Sequence, residues 1–282
     1  MRVLRGGGRA EASYALQVDL RMTDGARPTP DGAAGETPAR QTGPARRLAV
    51  LRRYARMLNA ARYAELLRAR WMLLAALGTI GVGVFLKLTS ELSEGELDGF
   101  DQAVLKIVVS LRVPALNGPA VDLTALGSVT VLTLIVTSVV LFLWFERDLA
   151  GIAQLLLASL GGALGSTLLK SVMERARPPE ISRLVHVSSS SYPSGHSLAS
   201  ASIYLTIALV LSRRLPAMSQ RVLLFTLLTL LALTIGSTRA YLGVHYPSDI
   251  AAGFSLGAGW ALLVSAAFSY ARAAKRPRLP AT

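Results

Sequence analysis

Apolar and polar positions alternate along this chain in long blocks, with apolar runs over 71–86, 123–145, 149–169, 198–211, 222–235 and 250–270. At about 1.5 Å per helical residue, roughly 20 residues cross the hydrocarbon core of a bilayer. The first run reaches that length by taking Lys87 and Leu88 with it, the lysine snorkelling to the interface. Lipid obliges every spanning backbone to satisfy its own hydrogen bonds, which favours helices for runs of this kind. The pattern therefore predicts an all-α polytopic membrane protein with six transmembrane helices. Between the first two runs, 89–101 is acidic through Glu91, Glu94, Glu96, Asp98 and Asp101 and is expected to be an outer loop. The next stretch, 102–112, sets Val104, Leu105, Val108, Val109 and Leu111 beside Lys106 and Arg112, a short amphipathic helix at the interface.

Composition agrees with the pattern: 52% of the 282 residues are hydrophobic and the mean hydropathy is +0.45. The net charge of +13 would suit a nucleic-acid binder, were it not gathered in arginines near the N-terminus, in one short loop and in the C-terminal tail. That distribution fits cytoplasmic segments facing anionic lipid, so no nucleic-acid partner is expected. Residues 1–45 form a Gly-, Ala-, Pro- and Arg-rich segment expected to be disordered and uncleaved. Residues 46–70 interleave Arg with Leu, Tyr, Met and Ala, which suits a basic juxtamembrane helix on anionic lipid at the inner membrane surface and equally a solvated leader helix. Residues 271–282 form a basic cytoplasmic tail. The absence of cysteine removes disulfides, thiolate metal sites and Cys nucleophiles.

With both termini cytoplasmic, the segments 89–122, 170–197 and 239–249 lie on the periplasmic or extracellular face. The middle one breaks the charge rule with Lys170, Arg175, Arg177 and Arg183, and the unusual residues of the chain collect in it and in the third. Lys170 closes a span, Arg177-Pro178 follows, and Tyr192-Pro193-Ser194-Gly195-His196-Ser197 opens the next span. Farther on, Thr238-Arg239 ends a span, His245 follows six residues after the arginine, and Asp249 begins the last helix. Lys170, Arg177 and Arg239 are cationic donors, and a helix beginning near Ser194 and Gly195 adds backbone N–H groups, so the set fits a phosphate. His245 with Asp249 has the form of a nucleophile and its orienting carboxylate, and His196 that of the acid for a leaving oxygen. Each part has a plain alternative: basic flanks of a span, a turn, a helix cap. His186 falls in a surface loop, and Tyr192, Tyr241 and Tyr246 have the character of interfacial anchors.

Lys170 with Arg177-Pro178, Pro193-Ser194-Gly195-His196, and Arg239 with His245 and Asp249 resemble, in order and spacing, the three-part signature of the type 2 phosphatidic acid phosphatases (PAP2). One departure is Thr238, where the family usually has Ser before the arginine; the hydroxyl is kept. The resemblance covers about 71–270 and implies a six-helix fold related to the vanadium haloperoxidases, a phosphohistidine intermediate at His245, and neither metal nor cofactor. It implies a lipid phosphatase of the inner membrane, with undecaprenyl diphosphate, phosphatidic acid and phosphatidylglycerophosphate as candidate substrates. A lipid phosphotransferase would use the same residues, and a catalytically silent scaffold would use the same helices.

Overall fold

The structure is a computed structural model in which residues 44–274 are described, with side chains from Ala69 onward. The expected disordered segment 1–45 (but for its last two residues), the tail beyond 274 and the basic side chains of 46–68 lie outside the described residues. The chain divides into two units after Tyr54, and the site described below lies in the second. Among the described residues the regular elements are all helices: α1 (Pro44–Ser93), which begins before the second unit, then α2 (Asp98–Ser110), α3 (Pro114–Ala125), α4 (Val129–Phe145), α5 (Leu149–Met173), α6 (Gly195–Leu211), α7 (Met218–Tyr241) and α8 (Pro247–Ala274). Two short 3₁₀ turns, Glu180–Ser182 and Ser212–Arg214, complete the set. Five helical segments are long and apolar enough to span a membrane, and α3 with α4 makes a sixth if the bent pair counts as one span.

That bent pair corrects the uninterrupted span expected over 123–145. The chain bends by 47° between Ala125 and Val129, where Ser128 caps α4 by accepting the Val131 N–H at 3.4 Å. Gly127 lies at the bend because nothing larger fits: a Cβ there would sit 2.5 Å from Ile235 Cγ2 and 2.9 Å from Ser200 Oγ. The acidic stretch is also more ordered than a loop, since α1 continues to Ser93 and α2 begins at Asp98. Asp101 is fully buried on α2 rather than exposed.

The bundle is organised around α6, whose residues are mostly buried, including Ser197, Ser200, Ser202 and Thr206. In a membrane the outer helices keep apolar faces toward lipid, as with Leu73 and Leu160, and polar atoms are satisfied inside. Ser202 donates to the Ala158 carbonyl of α5 at 2.9 Å, and Thr206 to the Ser202 carbonyl at 2.7 Å. Close approach of α8 to α6 depends on Gly253 and Gly257, a small-residue pair at four-residue spacing. A Cβ on Gly257 would meet the Leu198 carbonyl oxygen at 2.3 Å, and one on Gly253 the Ser194 oxygen at 2.5 Å. Because both neighbours are backbone, the helices themselves would have to part. Gly257→Ala is expected to cost about 1–3 kcal/mol and to lower the thermal midpoint in detergent. Gly165→Ala, where nothing lies within 4 Å, should leave it unchanged.

Candidate active site

The ends of α5 and α7 and the starts of α6 and α8 meet at one end of the bundle, so the motif residues of 170–197 and 239–249 share one face. Pro247 cannot donate to a preceding carbonyl and opens α8, leaving His245 just outside the helix and Asp249 in its first turn. Asp249 Oδ2 accepts the Tyr246 N–H at 2.8 Å, reaching back across the helix start as a capping carboxylate does. The same oxygen lies 3.3 Å from His245 Nδ1. On the other side of the ring, Arg177 Nη1 is 3.2 Å from His245 Nε2. A guanidinium only donates and a carboxylate only accepts, so both contacts select one tautomer: hydrogen on Nδ1, lone pair on Nε2.

His245 is 2% exposed, and this burial, opposed by Asp249, lowers the imidazole from 6.5 to about 4. Since a base with a depressed pKa stays neutral above it, Nε2 keeps its lone pair throughout the range near neutrality. NMR titration of the three histidines in micelles is expected to show one midpoint near 4, missing in His245→Gln. A midpoint near 6.5 for that ring would contradict the buried geometry.

Arg177 is held by the Ser189 and Val244 carbonyls at 2.6 Å each, and burial lowers its pKa against the opposing pull of Asp249. Lys170 Nζ donates to the Ser190 carbonyl at 2.7 Å, and its Cε would lie 3.6 Å from a Cβ on Gly195. Arg239 is 5% exposed and donates from Nη1 to Thr124 at 3.1 Å, while its buried Nε has no partner. An orphaned guanidinium N–H beside a cluster of cations is a donor suited to an anion. Lys170, Arg177, Arg239 and His245 all lie in the electrostatic neighbourhood of His196, whose ring approaches Gly127.

The start of α6 needs one correction. Ser194 was expected to offer its backbone N–H to the ligand, but it donates to the Asp249 carbonyl at 3.0 Å. Its side chain caps α6, accepting from the Ser197 N–H at 3.4 Å and the Ser197 hydroxyl at 3.0 Å. The free N–H groups of that first turn therefore belong to Gly195 and His196. Tyr192 is a second correction: instead of lying at the interface it is fully buried, its hydroxyl 2.7 Å from Thr89 and its ring stacked on Phe85. The turn before α6 is thereby pinned to α1. Tyr241 and Tyr246 are half-buried and His186 is exposed.

Motif reading alone missed Arg175. It donates to Asp249 Oδ1 at 2.6 Å and to Asp101 Oδ2 at 2.7 Å, and it covers the Tyr246 ring at 4.5 Å. Burial works against its charge, but Asp249 and Asp101 outweigh that and raise its pKa. Ser191 also escaped notice; its hydroxyl donates to Asp249 Oδ2 at 2.5 Å.

A polytopic helical bundle with a buried histidine–aspartate pair facing three cations at one end defines a membrane enzyme of anionic substrates. Residues 151–273 match the PAP2 superfamily. Phosphatidylglycerophosphatase B of Bacillus subtilis is 34% identical over 174 residues, which cover 61% of this chain and 85% of that protein. Lipid A 1-phosphatase of Rhizobium johnstonii is 32% identical over 113 residues, 37% of this chain and 42% of its own length. The crystal structure of a transmembrane PAP2 type phosphatidylglycerolphosphate phosphatase from Bacillus subtilis superposes with a TM-score of 0.65 at 32% identity, over 71% of this chain and 98% of that one. The chain belongs to the PAP2 superfamily and is a multi-pass membrane phosphatase.

Proposed function

We propose that the protein hydrolyses the phosphate monoester or diphosphate of a membrane lipid, through a phosphohistidine at His245. The observation that carries this reading is the two-sided hold on His245, with Nδ1 toward Asp249 and Nε2 toward Arg177. In the reaction, the equatorial phosphate oxygens take the donors of Lys170, Arg177 and Arg239 and the N–H groups of Gly195 and His196. With Arg177 turned to the phosphate, the Nε2 lone pair attacks phosphorus and Asp249 stabilises the imidazolium that forms. The bond to the lipid oxygen breaks as His196 donates its proton to that oxygen. An arriving phosphate anion raises the proton affinity of His196, which brings it protonated to the first step. Water then attacks the phosphohistidine, His196 takes its proton, and inorganic phosphate leaves.

The lipid class is supported by an apolar cavity of about 800 Å³ between α2, α3, α7 and α8, lined by Val108, Leu116, Leu123, Leu233 and Phe254. Thr238 and Ala240, which flank Arg239, border it too, so hydrocarbon can sit beside the helix that carries a phosphate donor. Orientation follows the arginines: the basic 46–70 and 271–282 segments on the cytoplasmic side of the inner membrane, the site on the opposite face. The basic 46–70 segment, which α1 continues without a break into its apolar half, then lies against anionic lipid.

Among lipid candidates, phosphatidylglycerophosphate leads because a relative 34% identical over 85% of its own length carries that activity in its name. Phosphatidic acid, undecaprenyl diphosphate and lipid A 1-phosphate are the comparison set. Purified protein in EDTA is expected to release phosphate from phosphatidylglycerophosphate at the highest kcat/KM of the four. Activity on none of them, with intact folded protein, would refute the lipid phosphatase reading.

A further inference from the structure

Arg175, Asp101 and Ser191 stand outside the three-part phosphate signature, yet Arg175 and Ser191 bind its carboxylate and Asp101 binds Arg175. One guanidinium nitrogen of Arg175 binds Asp249 Oδ1 at 2.6 Å and Ser248 Oγ at 2.8 Å, while the other binds Asp101 Oδ2 at 2.7 Å. The Arg175 carbonyl accepts the Ser191 N–H at 2.9 Å, and the Ser191 hydroxyl returns to Asp249 Oδ2. Asp249 thus has one oxygen fixed by Arg175 and the other shared by Ser191, the Tyr246 N–H and His245. Turning that carboxylate away from His245 would break contacts on both sides.

Asp101 continues the arrangement. It is fully buried, accepts the Ser248 N–H at 2.9 Å and also receives the Ser248 hydroxyl. Ser248 directly precedes Asp249 in the first turn of α8, so Asp101 acts as a cap supplied to α8 from α2, 147 residues away in sequence. Buried charge groups are a poor means of stability, because desolvation offsets most of the attraction. Two carboxylates sharing one guanidinium are better explained by geometry: the planar fork holds both at fixed angles, which a lysine cannot do.

We infer that Arg175, just beyond α5, and Asp101, on α2, are positioning residues, a clamp that holds Asp249, and through it His245, in the reacting orientation. The inference rests on the proposed His245–Asp249 roles. It also brings α2, which lies before the matched region 151–273, into the catalytic apparatus. Among the described residues the phosphate donors Lys170, Arg177 and Arg239 make no hydrogen bond to Arg175 or Asp101, so loss of the clamp should spare substrate binding.

A polar cavity of about 230 Å³ lined by Asp98, Asp101, Gln102, Arg175 and Tyr246 opens over the clamp, large enough to admit a small ion. The test uses the full-length protein in micelles with dioctanoyl phosphatidic acid. Asp101→Ala and Arg175→Lys are expected to lower kcat by about 10- to 100-fold, the scale of a small misplacement of reacting groups, with KM and inhibition by inorganic phosphate within about twofold. Formate should restore kcat to Asp101→Ala saturably and do nothing for Arg175→Lys. In an Asp249→Asn background, Asp101→Ala should cost little more, because it acts through that carboxylate. Full multiplication of the two losses, or a change in KM with kcat intact, would overturn the clamp. An unimpaired Asp249→Asn would instead refute the nucleophile–orienter reading itself. If Asp101→Ala does not fold, the kcat and KM of Arg175→Lys, which keeps the charge, decide the matter.

Discussion

His245→Gln is expected to lower kcat for lipid phosphate release by about 10⁵-fold or more, the scale seen when a covalent nucleophile is removed. Glutamine retains volume in a site that is 2% exposed, so the helix start should survive and the effect belongs to chemistry. Binding of inorganic phosphate should persist, since Lys170, Arg239 and the N–H groups of Gly195 and His196 are untouched. Single-turnover phosphate release separates these two outcomes. His186→Gln, at an exposed loop position, should stay within about twofold of the parent, a surface change away from any contact.

His196→Ala is expected to lower kcat by about 10²- to 10⁴-fold, the usual contribution of a positioned acid or base. The loss should depend on the leaving group. A lipid alkoxide or phosphate departs poorly without a proton, whereas the phenolate of p-nitrophenyl phosphate departs readily. The variant should therefore approach the parent in the first step with the aryl ester while remaining deficient with lipid. Parallel burst measurements on both substrates check this, and an equal deficit in both would assign His196 to binding.

Much of this site is legible in the sequence because each motif stands at the edge of an apolar run. Lys170, Arg177, Ser194, Gly195, His196, Arg239, His245 and Asp249 interrupt hydropathy where a helix begins or ends, and their order alone sets them on one face. Arg175 is less legible: two residues from Arg177, it reads as another basic flank of the span, and nothing local shows that it points at Asp249. Asp101 hides in an acidic stretch that looks solvated. Its register was available, since Asp101 shares a helical stripe with Val104, Leu105 and Val108 and so lies on the buried face of α2. Tyr192 was masked by the ordinary preference of tyrosine for membrane interfaces, which the contacts with Thr89 and Phe85 override. The bend between α3 and α4 had a signal in Gly127-Ser128, but what excludes a side chain at Gly127, Ile235 on α7, lies 108 residues away.

Transfer through a covalent enzyme intermediate is the claim on which the rest depends. Rapid quenching of the His196→Ala variant with ³²P-labelled p-nitrophenyl phosphate, whose leaving group departs without an acid while hydrolysis of the intermediate lacks its base, followed by peptide mass spectrometry, tests it most directly. The account predicts label on the peptide carrying His245, lost in acid and stable in base, and none in His245→Gln. Label on any other side chain, or full activity in His245→Gln, would contradict it.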